Sequence, residues 1–230
     1  MVKVISFSLW GNDPKYTQGA IKNARLAAEL FPDWVCRFYF GQSVDRHKRF
    51  EILEAANNPQ SIIMPESGDW RGMFWRFDAI NDPSVDVMIS RDCDSRLSPR
   101  EKAAVDEWLA SDKGFHIMRD HPWHTSPIMG GMFGMKKDAV PAFPVLLKNW
   151  KQEDRWQTDQ EFLAQDIWPR IQNDVMIHDS FYKDKFQLGL GVAQDFSTAR
   201  ESGKFVGQAV EADGSVNQEH VNMLDEGPLI

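Results

Sequence analysis

Residues 88–96 read Met-Ile-Ser-Arg-Asp-Cys-Asp-Ser-Arg. An apolar, strand-like run ends in two aspartates, Asp92 and Asp94, which stand two residues apart. If the backbone stays extended there, both carboxylates point to the same side. Carboxylate oxygens bind hard divalent cations, and such a cation can also bind the two phosphates of a nucleotide diphosphate. The stretch therefore predicts a metal–diphosphate site at the end of a buried strand.

A second interpretation of the two aspartates is that they cap the following helix or form a solvated acidic turn. Residues 98–101 read Ser-Pro-Arg-Glu, however, which is a capping box with proline at the first helical position. Because that helix already has its cap, Asp92 and Asp94 are free for another role, which favours the metal site. For the flanking Arg91 and Arg96 two roles stay open: binding of phosphate or substrate hydroxyls, or simple balance of the acidic charge.

The chain before this loop alternates strands and helices. The spacing of apolar residues predicts strands at 2–9, 34–40, 61–64 and 86–90, helices at 15–31 and 46–56, and a short helix over 69–77. This order is typical of an α/β domain with a Rossmann-like, mostly parallel central sheet flanked by helices. Such sheets bind ligands outside the carboxyl ends of their strands, where the loops at Trp10 and Asp92 both fall.

The second half of the chain is less regular. Its patterns predict strands at 114–118, 130–135, 175–178 and 204–210, and helices at 138–150 and 158–171. The glycines at 130, 131 and 134 permit close backbone approach by a sugar, or a tight turn. We expect one domain over residues 1–210. Residues 211–230 are polar and poor in apolar side chains, which predicts a frayed C-terminal tail.

The bulk composition narrows the class of protein. The 230 residues include 26 lysines and arginines against 34 aspartates and glutamates, a formal net charge of −8, which argues against a general nucleic-acid binder. The two cysteines, Cys36 and Cys93, cannot form a disulfide framework, so a reducing compartment is expected. Residues 1–5 show no signal peptide, and no apolar run approaches the roughly 20 residues that span a bilayer. These features predict a soluble, cytoplasmic protein without a transmembrane segment.

The stretch 88–96 resembles the DxD region of the GT-A glycosyltransferases. The wider pattern resembles the small single-domain GT-A enzymes of bacteria and large DNA viruses. Further segments fit this pattern in the same order: 6–11, 73–77, 130–134, 158–163 and 178–180. Each segment alone is unspecific, and the ordered set carries the resemblance. It runs from the first strand to about His178, and more loosely to Gly207.

The resemblance implies a GT-A fold, a nucleotide-sugar donor, commonly a UDP-sugar, and Mn²⁺ or Mg²⁺ as cofactor. It implies that Asp94 ligates the metal directly, whereas Asp92 contacts the metal or the ribose and sugar of the donor. It also implies that Ser8, Leu9 and Trp10, after the first strand, line the nucleotide pocket.

A late histidine completes the metal site in many GT-A enzymes. His178 follows an apolar segment at the end of a predicted strand, and a neutral imidazole can join carboxylates as a ligand of Mn²⁺. The other interpretation of His178 is a partly buried histidine bonded to the backbone. His121 and His124 are rival candidates for the metal site.

Asp159 stands at the first helical position of a second capping box, residues 158–161. One interpretation is a carboxylate favoured by the positive end of the helix dipole; the other is acceptor binding, or a general base that deprotonates the attacking hydroxyl. Both can hold, because a helix start fixes the carboxylate rigidly, and the resemblance favours a role in the site. Asp120 is the reserve candidate for the base. Arg76, beside Trp75, is a candidate partner of the diphosphate.

Together these features predict a metal-dependent glycosyltransferase of the hexosyltransferase type. It would move a sugar from a nucleotide diphosphate sugar to a hydroxyl acceptor such as a carbohydrate. A metal-dependent phosphoesterase or nucleotidyltransferase is an alternative, although its second metal would need a further acidic cluster, and none with clear spacing is present. A catalytically silent module that binds the nucleotide sugar without turnover is another.

Overall fold

The structure, a computed structural model, describes residues 1–183 and 193–225, and its centre is a mixed β-sheet. The strands are β1 Lys3–Leu9, β2 Val35–Phe40, β3 Pro59–Ile63, β4 Val87–Arg91, β5 Phe115–Arg119, β6 Met132–Lys136, β7 Val175–Asp179 and β8 Ala193–Gln194. Within the described ranges they lie in the order β3-β2-β1-β4-β6-β5-β7-β8. All neighbours are parallel except β6, which runs antiparallel to β4 and β5.

Helices connect the strands and flank the sheet. The α-helices are α1 Pro14–Leu30, α2 Arg46–Ala55, α3 Pro99–Ala110, α4 Phe143–Asn149, α5 Thr158–Phe162, α6 Trp168–Ile171 and α7 Gln218–Met223. A 3-10 helix spans Trp70–Asn81, and a π-helical turn, Leu163–Ile167, joins α5 to α6. Ser98 caps α3 by accepting from the backbone N–H of Glu101, as the capping box predicted. None of the helices described is both long and apolar enough to cross a bilayer.

Apolar layers cover both faces of the sheet. One face is covered mainly by aromatic side chains of the 3-10 helix, α4 and α5, and the other by α1 and α3. The first layer includes Phe74, Phe77, Phe115, Phe133, Phe143 and Phe162, and the second includes Ile5, Phe7, Ala20, Ala24, Phe38 and Trp108. A sheet covered on both sides buries whole strands, and β1 is accordingly buried from Val4 to Leu9. The predicted α/β architecture with a mostly parallel central sheet is confirmed.

The topology brings the carboxyl ends of β1, β4, β5 and β7 to one edge of the sheet. The amino-terminal end of the antiparallel β6 lies at the same edge. The loops that leave this edge contain Trp10, Asp92 and Asp120, and the turn before β6 contains Gly130 and Gly131. Polar residues that are distant in sequence are thus collected at the end of the sheet where α/β proteins bind ligands.

The C-terminal part differs from the sequence prediction. Residues 204–210 form no strand, and Val210 makes only an isolated bridge with Val216. The backbone N–H groups of Val206 and Val210 instead donate to Asp120 Oδ2 at 3.0 Å and to the Asp94 carbonyl at 2.9 Å. Because these N–H groups donate to residues of the loops after β4 and β5, the segment crosses the end of the sheet and does not pair with it as a further strand.

The tail that was predicted to fray is folded as far as Asp225, and residues 226–230 lie outside the described residues. Asn217 caps α7, and Met223 is buried. His121 Nε2 donates to the backbone carbonyl of His220 at 2.9 Å. Burial of Met223 and the hydrogen bond to the His220 carbonyl therefore hold residues 217–225 against the rest of the domain, although their polar composition predicted a frayed tail.

Candidate active site

A buried arginine joins two carboxylates that are far apart in sequence. Nη1 of Arg76 hydrogen bonds to Oδ1 of Asp92, and its Nη2 donates to Oδ2 of Asp159 at 2.9 Å. Arg76 is 4% exposed and Asp159 is 1% exposed, whereas the side chain of Asp92 is 44% exposed. Asp92 therefore faces the solvent, and Arg76 and Asp159 form the buried side of the cluster.

Burial and charge have opposite effects on the pKa values of Arg76 and Asp159. Burial alone would lower the pKa of Arg76, but Asp92 and Asp159 hold that pKa above its ordinary value. Burial raises the pKa of the Asp159 carboxyl, against the effect of Arg76, and the charge of Asp92 adds to the rise. Nε of Arg76 is buried and has no hydrogen-bond partner, so the cluster holds a donor that a ligand could use.

The end of β1 holds Arg76 in place. Ser8 Oγ accepts from the backbone N–H of Arg76 at 2.9 Å, and Ser6 Oγ donates to its carbonyl oxygen at 2.6 Å. Ser8 is buried, and Leu9 belongs to the core. The side chains of Ser8 and Leu9, which the resemblance placed in the nucleotide pocket, therefore position Arg76 and fill the core.

Trp10 fixes the loop after β1. Its ring packs edge-to-face on Trp70 and Trp75, with ring centroids 6.3 Å and 6.1 Å apart. A Cβ added to Gly68 or Gly72 would lie 2.2 Å or 2.8 Å from Trp10, so only glycine fits at either position. The Trp10 side chain is half-buried in this aromatic cluster at the ligand-binding edge.

The turn before β6 presses against the carboxylates. A Cβ added to Gly130 would lie 2.2 Å from Asp159 Oδ2, and one added to Gly131 would lie 1.9 Å from Asp92 Oδ2. Ser90 Oγ donates to the Gly130 carbonyl at 2.6 Å and holds the turn to β4. The two glycines lie in a turn whose backbone approaches the Arg76 cluster closely. Close approach by a sugar at these glycines stays a prediction.

Asp94 pairs with a lysine and not with an arginine. Nζ of Lys15, in the first turn of α1, lies 3.5 Å from Asp94 Oδ2 and 3.2 Å from Glu211 Oε1. Burial raises the pKa of the Asp94 carboxyl and the charge of Asp92 raises it further, whereas Lys15 opposes the rise. Motif analysis missed Lys15 and Glu211. The sequence position of Lys15 could have identified it, because it follows the loop after β1, and that loop lies at the same end of the sheet as Asp94.

The two aspartates fit a Mg²⁺ or Mn²⁺ ion that takes its other ligands from phosphates and water. Across residues 1–183 and 193–225 no group of three or more His, Cys, Asp or Glu side chains is placed to hold a metal ion. Mg²⁺ is commonly bound by one or two carboxylates together with substrate phosphates, so two protein ligands are sufficient. The donor set suits a metal that binds together with a diphosphate.

His178 is not brought to the aspartates, and its assignment as a metal ligand is corrected. Strand β7 is three positions from β4 in the sheet, about 14 Å at the usual strand spacing, whereas metal ligands lie about 2 Å from the ion. Both ring nitrogens of this buried histidine face other side chains. Nδ1 lies 2.9 Å from His116 Nε2, and Nε2 lies 3.0 Å from Glu107 Oε2.

The rival histidines also use ring nitrogens for internal hydrogen bonds. His121 Nδ1 accepts from the backbone N–H of Trp123 at 3.0 Å, and its Nε2 donates to the carbonyl of His220. His124 Nδ1 accepts from the backbone N–H of Asp120 at 3.0 Å, and the ring is buried. Burial lowers the pKa of His124 to about 3, so this ring is neutral at physiological pH.

Arg91 lies outside the site, which corrects its assignment to the donor. Successive residues of an extended chain point to opposite faces, and Arg91 points to the face opposite Asp92. Its Nε pairs with Glu101 of α3, and its Nη1 donates to the carbonyls of Ser90 at 2.6 Å and Phe133 at 3.0 Å. Arg91 therefore pairs with Glu101 inside the core and not with the two aspartates that follow it in sequence.

Asp120 is a poor candidate for the catalytic base, because both oxygens of its carboxylate already accept hydrogen bonds from the protein. It is completely buried and accepts hydrogen bonds from Arg100, Ser180, Arg200 and the backbone N–H of Val206. These hydrogen bonds hold its pKa below the ordinary value although burial acts in the other direction. A base of lowered pKa without open lone pairs cannot take a proton from a substrate, so Asp120 fastens the C-terminal segment instead.

Comparison with solved structures shows that this mixed sheet has the GT-A fold. No protein-family model and no curated protein sequence matches the chain. Among solved structures, a glycosyltransferase involved in the glycosylation of the major capsid of PBCV-1 has a TM-score of 0.51 and 17% identity, over 78% of this chain and 82% of that one. TarS 1–349 of S. aureus, also solved with UDP, has a TM-score of 0.50 and 10% identity.

The TarS match covers 78% of this chain and 58% of that one. A third structure, 4-diphosphocytidyl-2C-methyl-D-erythritolsynthase of Anaerococcus prevotii, has a TM-score of 0.51 and 10% identity, over 79% of this chain and 90% of that one. At these identities the similarity shows the fold. The GT-A fold expected from the sequence is confirmed, and a nucleotidyltransferase shares its framework.

Proposed function

We propose that this protein transfers a sugar from a nucleotide diphosphate sugar, a UDP-sugar, to a hydroxyl group of a carbohydrate or similar acceptor. The observation that carries the proposal is the contact of Arg76 with both Asp92 and Asp159. This contact connects the Asp92 loop, which suits a metal-bound diphosphate, with Asp159, the candidate base that lies close to that loop. The GT-A fold supports the proposal.

Each residue of the site has a part in this reaction. Asp92 and Asp94 would hold Mn²⁺ or Mg²⁺ and, through it, the diphosphate. When bound, the ion supplies Lewis-acid stabilisation of the charge on the departing phosphate. Asp159 orients the sugar or the acceptor hydroxyl, or accepts the hydroxyl proton, and its raised pKa makes it the stronger base of the two candidates. Arg76 fixes Asp159 relative to Asp92.

A nucleotidyltransferase is the second candidate, because the structure from Anaerococcus prevotii has the same framework. The two reactions leave different products. Glycosyl transfer or donor hydrolysis releases a nucleoside diphosphate, whereas nucleotidyl transfer from a nucleoside triphosphate releases pyrophosphate. Product analysis therefore separates them, and release of neither product would indicate a silent binding module.

A donor screen by thermal shift tests the proposal. One nucleotide sugar at about 100 times its Kd should stabilise the protein by about 2.7 kcal/mol, or about 5–10 °C in Tm, when Mn²⁺ is present. The same donor in EDTA should give little shift. If no nucleotide sugar raises Tm with Mn²⁺, or the shift is equal in EDTA, the proposed metal-dependent site is wrong.

The turn before β6 provides a separate prediction. Gly131→Ala places a methyl group where Asp92 Oδ2 now lies, so the carboxylate must move. We expect UDP binding with Mn²⁺ to weaken by about tenfold or more, measured by calorimetry. Gly203→Ala is the control: Gly203 has φ +71°, which strains an alanine, but its Cβ would only touch Val221. That variant should lose some stability and keep its UDP affinity. Equal affinity of both variants would contradict the placement of Asp92.

A further inference from the structure

Lys15 stands between the loop that suits the metal and the C-terminal segment. Its Nζ lies 3.5 Å from Asp94 Oδ2 and 3.2 Å from Glu211 Oε1, and its side chain is 23% exposed. The side chain of Asp94 is 20% exposed, and that of Glu211 is 55% exposed. The contact with Asp94 is therefore mostly shielded from solvent, whereas the contact with Glu211 is at the surface.

The proposed metal and Lys15 compete for the same carboxylate. A divalent ion on Asp94 would repel an ammonium group that stays against the same oxygen, because neither charge is screened well in a mostly buried pair. Lys15 therefore has to leave Asp94 when the ion arrives. Its four-carbon side chain is flexible, so the move needs no change in α1.

The other cations of the site are fixed. Arg76 is buried between two carboxylates, and Arg96 Nη1 donates to the carbonyls of Cys93 at 3.2 Å and Ser95 at 2.9 Å. Lys15, by contrast, is partly exposed, and its ammonium group can turn. A diphosphate that enters with the metal brings negative charge to this point, and lysine binds phosphates as a point charge.

We propose that Lys15 is an exchanging cation of the site: it neutralises Asp94 in the free protein and turns to the donor's diphosphate when metal and nucleotide sugar bind. This inference rests on the proposed function. Lys15 then has two opposite effects. It weakens the binding of the metal alone, because the metal must displace it, and it strengthens the binding of the nucleotide in the presence of metal.

The test measures both effects on Lys15→Met. Binding of Mn²⁺ alone is measured by electron paramagnetic resonance of the free ion, and binding of UDP at saturating Mn²⁺ by calorimetry. We expect Mn²⁺ alone to bind about three- to tenfold more tightly than to the wild type, and UDP to bind about tenfold less tightly. Lys15→Arg keeps the charge and should restore most of the UDP affinity.

Lys22→Met is the matched control. Lys22 lies on the same helix and donates to the carbonyl of Ala212, in the same C-terminal segment, at 3.4 Å. This hydrogen bond does not involve Asp94. It should change neither affinity by more than about twofold. Lys15→Met with unchanged or weaker Mn²⁺ binding, or with unchanged UDP binding, overturns the role of Lys15 alone. A wild-type protein that binds no UDP with Mn²⁺ overturns the proposed function and, with it, this inference.

Discussion

Asp94→Ala should abolish metal-dependent binding of UDP. Asp94 is one of the two carboxylates that suit the cation, and loss of a metal ligand removes the link between protein and diphosphate. We expect UDP affinity at saturating Mn²⁺ to fall by about 100-fold or more, measured by calorimetry. Asp213→Ala removes the same charge from the exposed turn near Glu211 and should leave the affinity unchanged. UDP binding by Asp94→Ala at wild-type strength would remove the central assignment.

The same substitution should leave the metal-free fold intact or more stable. The pKa of the Asp94 carboxyl is raised in the folded protein, chiefly by burial and then by Asp92. The folded protein therefore holds this proton more tightly than the unfolded chain, and its stability falls as pH rises through the two pKa values. Above its raised pKa the carboxylate destabilises the metal-free protein, so Asp94→Ala should melt at the same temperature or a few degrees higher. A large fall in Tm would show a structural role instead.

Asp159→Asn should reduce turnover while nucleotide binding persists. The amide keeps the shape of the side chain. Its single oxygen can accept from Arg76 Nη2 or from the backbone N–H of Gln160, which Asp159 now receives on separate oxygens. It cannot accept a proton from an acceptor hydroxyl, and it orients sugar hydroxyls less strongly. We expect the rate of sugar transfer to fall by about 10²- to 10⁴-fold, and UDP affinity with Mn²⁺ to change by no more than about threefold.

Glu161→Gln is the matched control for Asp159→Asn. Glu161 lies on the same helix, α5, and also pairs with an arginine, but its partner Arg155 is exposed. Removal of this surface pair should change the transfer rate by less than about twofold, because exposed ion pairs contribute little. If Asp159→Asn transfers sugar at the wild-type rate, Asp159 has no part in the chemistry.

The first half of the fold could be predicted from the sequence because its elements carry local signals. The apolar run of β4 ends at the aspartates, and the capping box at 98–101 marks the start of α3, where the structure has it. Asp92 and Asp94 were singled out on local grounds, and the structure keeps them together at the edge of the sheet. Arg76 and Asp159 were also named, but their contact joins residues 83 positions apart, which no local pattern reveals.

The residues that were misassigned depend on features that spacing does not contain. Arg91 and Asp92 are neighbours, and only the alternation of β4 places one in the core and the other at the site. His178 ends a strand as predicted, but the insertion of β6 and β5 between β4 and β7 separates it from the aspartates. Asp120 follows a strand in the same way as Asp92, but its carboxylate accepts hydrogen bonds from Arg100 and Arg200. Arg200 lies 80 residues further along the chain.

The Asp120 carboxylate receives its hydrogen bonds from residues that are synthesised at different times. Two of its partners, Arg200 and the backbone N–H of Val206, are made 80 and 86 residues after it. A nascent chain that ends before Val206 holds this carboxylate without them, and its C-terminal segment cannot yet cover the edge of the sheet. The site is therefore completed only after Val206 has been made, and chains that end before this residue should be prone to aggregation or proteolysis.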